Sequence, residues 1–323
     1  MEPFLSQTDA PFIRPDARAF LDFLNALPGP TSREAGPEGA RAMLIKSRYV
    51  ADLPTGELAL IRDLSCPGPA GDIALRLYDA QESRGPGPLI LFFHGGGYVL
   101  GDLESHEPFC AEIARELDLP VLAVDYRLAP EHPFPAGAED CIAAARWAAA
   151  SPTELGREVT GLVSCGDSAG GNFAIVTALA LRDAPAAVPV VAQWAIYPAA
   201  DPGPDYPSFE AFCDGHLLSR DSMSWFEELY AADKADWRNS PLVKDQAGMP
   251  PTLVLTASAD PIRDQGRAYA AACVAAGVPT VFQEARGNIH GFINLRKAIP
   301  SSNEDVRKAV EALRLLIEEA QAG

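Results

Sequence analysis

Short apolar runs and amphipathic segments alternate along most of this chain. The apolar runs lie at residues 89–93, 120–124, 159–163, 189–196, 252–256 and 281–284. Segments with apolar residues at helical spacing lie between or after them, at residues 108–117, 138–149, 172–181, 264–276 and 303–320. Short apolar runs are typical of buried strands, and the longer periodic segments are typical of helices. Their repeated alternation predicts an α/β fold with a mostly parallel sheet covered by helices on both faces.

An antiparallel pair of strands is predicted at one edge of this sheet. Residues 58–64 and 73–78 alternate between apolar and polar positions, and the proline- and glycine-rich residues 67–71 separate them. Alternation of this kind around a short turn is typical of paired strands with one solvated face.

Two stretches depart from the strand–helix alternation and predict additions to the sheet. Residues 15–27 form a helical pattern ahead of any strand, and Pro28-Gly29-Pro30 ends it. Residues 199–245 are rich in proline, aspartate and aromatic side chains. We therefore expect an N-terminal helical part, a two-segment α/β domain and an insertion above the sheet, namely residues 1–45, residues 46–198 with 246–323, and residues 199–245.

Charge and cysteine usage narrow the class of protein. The formal net charge is −18, from 44 acidic and 26 basic residues, which disfavours nucleic acid or an anionic membrane as a partner. No apolar run reaches the roughly 18 residues of a membrane span, and the start does not resemble a signal peptide, so we expect neither. The six cysteines show no C-x-x-C pair and no zinc spacing. We expect reduced, buried thiols, a cytoplasmic location and no metal site.

The candidate nucleophile lies in Gly166-Asp167-Ser168-Ala169-Gly170, between a predicted strand and a predicted helix. A G-x-S-x-G sequence in this context is the nucleophile elbow typical of α/β hydrolases. The turn exposes the serine hydroxyl above the carboxyl edge of a parallel sheet. The backbone of the turn is tight, so it needs a glycine two residues before the serine and another two residues after it. The N-terminus of the next helix directs N–H groups at an oxyanion forming beside Ser168.

An activated serine needs a histidine base and an acid that orients the base. In α/β hydrolases these residues follow in the order serine, acid, histidine. Of the five histidines, only His216 and His290 come after Ser168, and only His290 follows a predicted strand. Asp260, just after the preceding strand, fits the acid. Asp264 is the alternative, although its position is better suited to capping the next helix.

An oxyanion hole needs backbone N–H donors that are already in place. One candidate is the amide of Ala169, directly after the nucleophile. The others should follow the third strand, where the chain has His94-Gly95-Gly96-Gly97. We expect Gly96 and Gly97 to supply these donors and His94 to fix the loop by hydrogen bonding.

Several other conspicuous residues have simpler interpretations. Asp167 is interpreted as part of the turn chemistry at the elbow. Glu131 is expected to brace the proline-rich loop that contains it, while Trp225 and Phe226 are interpreted as core of the insertion rather than as a pocket wall.

Together these stretches resemble the bacterial hormone-sensitive-lipase-like esterases, a family of α/β hydrolases. The matching motifs come in the family's order at residues 94–97 (HGGG), 126–136 (YRLAPEHPFPA), 166–171 (GDSAGG), 196–198 (IYP), 240–242 (SPL), 260–264 (DPIRD) and 290–292 (HGF). The resemblance implies an eight-stranded sheet with a helical cap made from the N-terminus and the insertion. Gln265, where an acid is common, and residues 213–216 (CDGH) depart from the pattern and bear on cap contacts.

The resemblance also implies an activity and the residues that carry it. It assigns the triad to Ser168, Asp260 and His290. It assigns the oxyanion hole to three backbone amides, those of Gly96, Gly97 and Ala169. We expect a serine carboxylesterase that hydrolyses short-to-medium acyl esters through an acyl-enzyme without a cofactor, and a homodimer. An amidase or peptidase with the same triad and a non-catalytic ligand-binding relative are the alternatives.

Overall fold

A computed structural model describes residues 11–203 and 206–322. The strands of its sheet are β1 (Leu60–Gly68), β2 (Gly71–Asp79), β3 (Gly87–Phe93), β4 (Val121–Asp125), β5 (Val159–Asp167), β6 (Val190–Ile196), β7 (Thr252–Ala259) and β8 (Thr280–Ile289). The α-helices are α1 (Pro15–Ala26), α2 (Ser32–Ala51), α3 (Glu107–Leu117), α4 (Ala136–Ala149), α5 (Ala169–Asp183), α6 (Pro207–Phe212), α7 (Arg220–Tyr230), α8 (Arg263–Ala275) and α9 (Ser302–Ala322).

All eight strands belong to one sheet in the order β1-β2-β4-β3-β5-β6-β7-β8. The pairs β1–β2 and β2–β4 are antiparallel and the remaining pairs are parallel. The prediction of a mostly parallel α/β sheet with an antiparallel edge pair is confirmed. Because parallel strands have their carboxyl ends at the same edge, this order brings the loops after β3, β5, β7 and β8 to one side of the sheet.

The core fills both faces of the sheet. On one face α3 and α9 pack against the strands, with Phe109 and Leu313 fully buried. On the other face α4 and α5 pack together, and α8 continues the layer, with Phe173 and Tyr269 fully buried. Burial on both sides explains why the central strands read as uninterrupted apolar runs.

The last strand is longer than its sequence pattern predicts. The apolar run indicates residues 281–284, whereas β8 extends from Thr280 to Ile289. The second half of β8 contains Arg286, Gly287 and Asn288, which do not show the apolar pattern of a strand. This half still pairs with β7, and Ala259 of β7 lies opposite Ile289 of β8. The extension puts His290 directly after the end of a strand.

Two pairs of helices lie in the segments where the sequence predicts additions, one pair before β1 and the other between β6 and β7. The N-terminal helices α1 and α2 extend to Ala51, a few residues beyond the expected boundary at 45. The helices α6 and α7 lie within residues 199–245. Residues 1–10 and 204–205 of these predicted parts are outside the described residues. Within the described part of the chain, none of the helices combines the length and the apolar character needed to cross a bilayer.

Candidate active site

The predicted elbow is a sharp turn between β5 and α5. Ser168 has φ 55° and ψ −116°, a backbone conformation that L-residues rarely adopt. Its amide donates to the carbonyl of Ile196 at 2.9 Å, which fixes the turn against the neighbouring strand. A Cβ on Gly170 would lie 2.6 Å from the carbonyl oxygen of His94 and closer still to that of Phe93. The glycine is therefore required by the close approach of β3.

The structure brings the three predicted triad residues into one hydrogen-bonded chain. His290 Nε2 lies 2.9 Å from Ser168 Oγ, and His290 Nδ1 lies 2.7 Å from Asp260 Oδ2. Asp260 is fully buried, and its other carboxylate oxygen accepts from the amide of Ile262 at 2.8 Å. In this geometry the imidazole can accept the hydroxyl proton. The carboxylate can orient the ring and stabilise the positive charge of the imidazolium.

The alternatives for the acid and the base lie elsewhere. Asp264 lies in the first turn of α8, where it pairs with Arg263 at 2.8 Å and accepts from the amide of Ser208 at 3.0 Å. His216 is in the insertion, with Nδ1 2.7 Å from the carbonyl oxygen of Asp214. Neither residue has a hydrogen bond to the predicted triad within the described part of the chain.

The three predicted oxyanion donors come from two neighbouring segments, the glycine run after β3 and the start of α5. Phe93 pairs with Gly166 across β3 and β5. The loop after β3, residues 94–97 (here called the glycine loop), is therefore a neighbour of the elbow. Gly96 and Gly97 have φ of 127° and 60°, values that favour glycine. Among residues 11–203 and 206–322, the amides of Gly96, Gly97 and Ala169 donate to no protein acceptor.

Asp167 has a larger role than the turn chemistry expected from the sequence. Its Oδ1 accepts from the Gly95 amide at 2.7 Å and lies 3.2 Å from His106 Nε2, while the Tyr197 hydroxyl donates to Oδ2 at 3.3 Å. Burial would raise the pKa of the Asp167 carboxyl, but the charge and hydrogen bond of His106 and the Gly95 amide outweigh burial and lower it. A buried carboxylate thus joins the elbow to the glycine loop.

His94 fixes the glycine loop, as the sequence predicts. Its Nδ1 lies 2.8 Å from the carbonyl oxygen of Gly95, and its ring stacks on Tyr126 with centroids 4.2 Å apart. The Tyr126 hydroxyl donates to the His94 carbonyl at 2.5 Å. Burial, and then the neighbouring His106, lowers the pKa of His94 to about 4, so its ring is neutral at neutral pH.

Phe226 lies against Gly97 and also packs on the hydrophobic cluster that contains Trp225 and Tyr230. A Cβ on Gly97 would meet the Phe226 ring, with Cε2 at 2.6 Å. Trp225, the preceding residue, is 5% exposed, but its cluster is shared with Ala40 of α2 and with Val99 and Leu100, so it is not core of the insertion alone. Adjacent residues on a helix face different directions, and helical spacing alone did not indicate which of the two lies against Gly97.

The cysteines are poor candidates for a second nucleophile. Burial raises the pKa of the Cys165 thiol, three residues before Ser168, well above its usual value, and all six cysteines are buried and free. Buried protonated thiols are poor nucleophiles. Over the described ranges, no group of three or more His, Cys, Asp or Glu side chains is arranged to hold a metal ion.

Comparisons with known proteins show to which family the chain belongs. The profile of a family described as "alpha/beta hydrolase fold" matches residues 90–294. Esterase LipI of Mycobacterium tuberculosis is 34% identical, with 92% of this chain and 94% of that protein covered. Ethyl acetate hydrolase of Pseudomonas putida is 33% identical, with 94% and 98% covered. An α/β-hydrolase enzyme from the Lake Arreo metagenome has a solved structure with TM-score 0.89 and 36% identity, over 94% and 98% of the two chains. The chain therefore belongs to the hormone-sensitive-lipase-like esterases of the α/β-hydrolase fold.

Proposed function

We propose that this chain is a serine carboxylesterase that hydrolyses small esters with short-to-medium acyl groups through an acyl-enzyme on Ser168. The observation that carries the proposal is the hydrogen-bonded chain from Ser168 through His290 to the buried Asp260. The relatives named as esterases and ester hydrolases, at 33–39% identity, support the same reaction.

In the first half of the reaction, His290 Nε2 takes the proton of Ser168 as Oγ attacks the ester carbonyl carbon. The resulting tetrahedral oxyanion accepts hydrogen bonds from the free amides of the glycine loop and of Ala169. Asp260 stabilises the imidazolium through Nδ1–H. The C–O bond to the alcohol then breaks, His290 gives its proton to the departing alkoxide oxygen, and the acyl group stays on Oγ.

In the second half, water replaces the alcohol. His290 takes a proton from the water as its oxygen attacks the acyl-enzyme carbonyl, and the same amides hold the second oxyanion. The bond to Oγ breaks, His290 returns the proton to Ser168, and the carboxylic acid leaves. The net reaction consumes one ester and one water and needs no cofactor.

The acyl range is tested with p-nitrophenyl esters from acetate to palmitate. We expect kcat/KM to be highest between acetate and octanoate and at least about a hundredfold lower for palmitate, since unfavourable pocket contacts of a few methylenes suffice for this ratio. The matched p-nitroanilides of the best acyl group serve as the comparison. Faster turnover of the anilide than of the ester would replace the esterase assignment with an amidase.

We also propose a cap over the site, made from residues 1–45 and 199–245. Its helices are α1, α2, α6 and α7. The two segments contact each other: Arg33 of α2 bonds Asp221 at 2.8 Å and Glu228 at 2.7 Å, both on α7. The Phe226 ring, from the same helix α7, supports a position of this cap above the glycine loop.

Pairing of two copies through β8 is a further part of the proposal. This strand ends the sheet, and an end strand leaves one row of backbone N–H and C=O groups open to another strand. Phe282 of β8 is 43% exposed, so a partner would also cover apolar surface.

The free thiols support a reducing, cytoplasmic location.

Phe282→Asp is expected to shift the protein from dimer to monomer in light scattering coupled to gel filtration. Each new carboxylate would lose hydration in the contact with the partner strand, and burying an unpaired charge is costly. Leu315→Asp, at a 59% exposed position of α9, is the control and should remain dimeric. A wild-type protein that is monomeric at micromolar concentration would contradict the proposed pairing.

A further inference from the structure

We infer that Arg41, on the N-terminal helix α2, is a positioning residue for the oxyanion hole. The inference rests on the proposed function, because it assumes that the amides of Gly96 and Gly97 bind the oxyanion. Arg41 lies far from the triad in sequence. Within the described part of the chain its hydrogen bonds go to Val99, Ala129 and Glu131 and to none of the predicted triad residues.

The Arg41 guanidinium has four hydrogen bonds, and two of them reach backbone carbonyls beside the site. Nε donates to the carbonyl of Val99 at 2.8 Å, and Nη2 donates to that of Ala129 at 2.9 Å. Nη1 and Nη2 also form a bidentate pair with Glu131, at 2.8 and 2.7 Å. A planar guanidinium can serve these partners together because its donors have a fixed fork geometry.

The Val99 carbonyl belongs to the turn that carries the free amides. The amides of Val99 and Leu100 both donate to the Gly96 carbonyl, at 3.1 and 2.8 Å, which closes the turn. The Ala129 amide donates to the Tyr98 carbonyl at 2.9 Å. Arg41 therefore holds the turn directly through Val99 and indirectly through Ala129. Because these bonds fix the peptide units after Gly97, they limit the directions in which the Gly96 and Gly97 amides can point.

Glu131 keeps the Arg41 side chain in this position. The hydrogen bonds from Arg41 lower the pKa of Glu131 to about 2, so the carboxylate stays ionised through the neutral range. Next to the pair lies a cleft of about 440 Å³, lined on the helix side by Leu44 and Ile45. Ala40, the residue before Arg41, and Leu44 pack in the cluster that contains Val99 and Leu100. Apolar packing and the Arg41 guanidinium therefore both connect α2 to the loop at this point.

Two other arginines also connect α2 to the rest of the chain. Further along the helix, Arg48 is 9% exposed and bonds Glu104 at 3.2 Å and Glu107 at 2.9 Å. At its start, Arg33 connects the helix to α7. An Arg41 variant keeps both connections, so its effect on the loop can be separated from loss of the helix.

The test compares Arg41→Ala with Arg33→Ala, a matched loss of an arginine on the same helix. We expect kcat/KM for p-nitrophenyl butyrate to fall by about ten- to a hundredfold in Arg41→Ala, mainly through kcat. This is less than the roughly hundred- to thousandfold loss of a donor itself, because the amides remain but are poorly directed. Arg33→Ala should stay within about twofold of wild type in both constants. Arg41→Lys should fall between them, since an ammonium lacks the fork.

A second readout separates positioning of the oxyanion hole from general loosening. The Ki of a trifluoromethyl ketone, which adds Ser168 Oγ and forms an oxyanion, should rise in Arg41→Ala by the same factor as kcat/KM falls. The Ki of the matching methyl ketone should change by less than about twofold. Equal weakening of both ketones, or an Arg41→Ala enzyme as active as Arg33→Ala, would overturn the inference.

The same series distinguishes this inference from the proposed function. If Ser168→Ala retains turnover or binds the trifluoromethyl ketone as wild type does, the proposed function is wrong. If Ser168 is essential but the Arg41 variants match Arg33→Ala, only the positioning role is wrong. Should Arg41→Ala fail to fold, Arg41→Lys and Glu131→Gln carry the comparison, and wild-type kcat in both would overturn the inference.

Discussion

Ser168→Ala is expected to lower kcat on p-nitrophenyl butyrate by about a millionfold, the effect of losing a nucleophile that acts with its base as a unit. Alanine has no atom to attack the ester, and His290 Nε2 loses the hydroxyl that lies 2.9 Å away. The free amides remain, so KM should change little. Stopped assays with several-hour incubations, with the background hydrolysis subtracted, measure the remaining rate.

The control for this variant is Ser164→Ala, in β5, the strand that leads to Ser168. Ser164 Oγ donates to the Ala174 carbonyl at 2.9 Å and is fully buried away from the triad. We expect Ser164→Ala to keep kcat within a few-fold while losing some stability to heat. Comparable loss of activity in both variants would point to disruption of the elbow rather than to removal of a nucleophile.

Asp260→Asn is expected to lower kcat by about ten-thousandfold near neutral pH. The asparagine amide fits the same space, but it can present its N–H₂ to His290 Nδ1, which then becomes an acceptor and leaves the proton on Nε2. In that tautomer the ring cannot take the proton of Ser168. Because Asp260 is fully buried, water cannot substitute for the lost carboxylate.

Asp264→Asn provides the matched comparison, because the sequence left Asp264 open as the alternative acid. Its carboxylate bonds Arg263 and the Ser208 amide rather than the histidine. We expect Asp264→Asn to keep kcat within about tenfold of wild type, with a lower melting temperature from the weakened contacts at the start of α8. Loss of turnover in Asp264→Asn together with activity in Asp260→Asn would reverse the assignment of the acid.

Local signals in the sequence predicted the sheet and the close approach of Ser168, Asp260 and His290 in the structure. Apolar runs mark buried strands, and the order of serine, acid and histidine along the chain reduced five histidines to His290. The choice between Asp260 and Asp264 could not be made so firmly, since both follow β7 within a few residues. Pairing of Ala259 with Ile289 brings Asp260 beside His290, and this register depends on polar residues of β8 that carry no strand signal.

The supports of the glycine loop could not be predicted from local sequence. Asp167 meets Gly95 across 72 positions, and Arg41 meets Val99 across 58. Such contacts depend on how whole elements pack, whereas sequence periodicity reports only which face of one element is apolar. A charged residue in the predicted N-terminal helical part therefore gave no sign that its side chain reaches the turn after the glycine run.

Labelling with diethyl p-nitrophenyl phosphate tests the central claim most directly, because Ser168 Oγ would displace p-nitrophenolate and retain the diethyl phosphoryl group. Intact mass and peptide mapping should show one adduct per chain, on Ser168, with one equivalent of p-nitrophenolate released and ester hydrolysis lost in proportion. An adduct on another residue that accounts for the lost activity, or full ester hydrolysis by a chain with a phosphorylated Ser168, would contradict the acyl-enzyme mechanism.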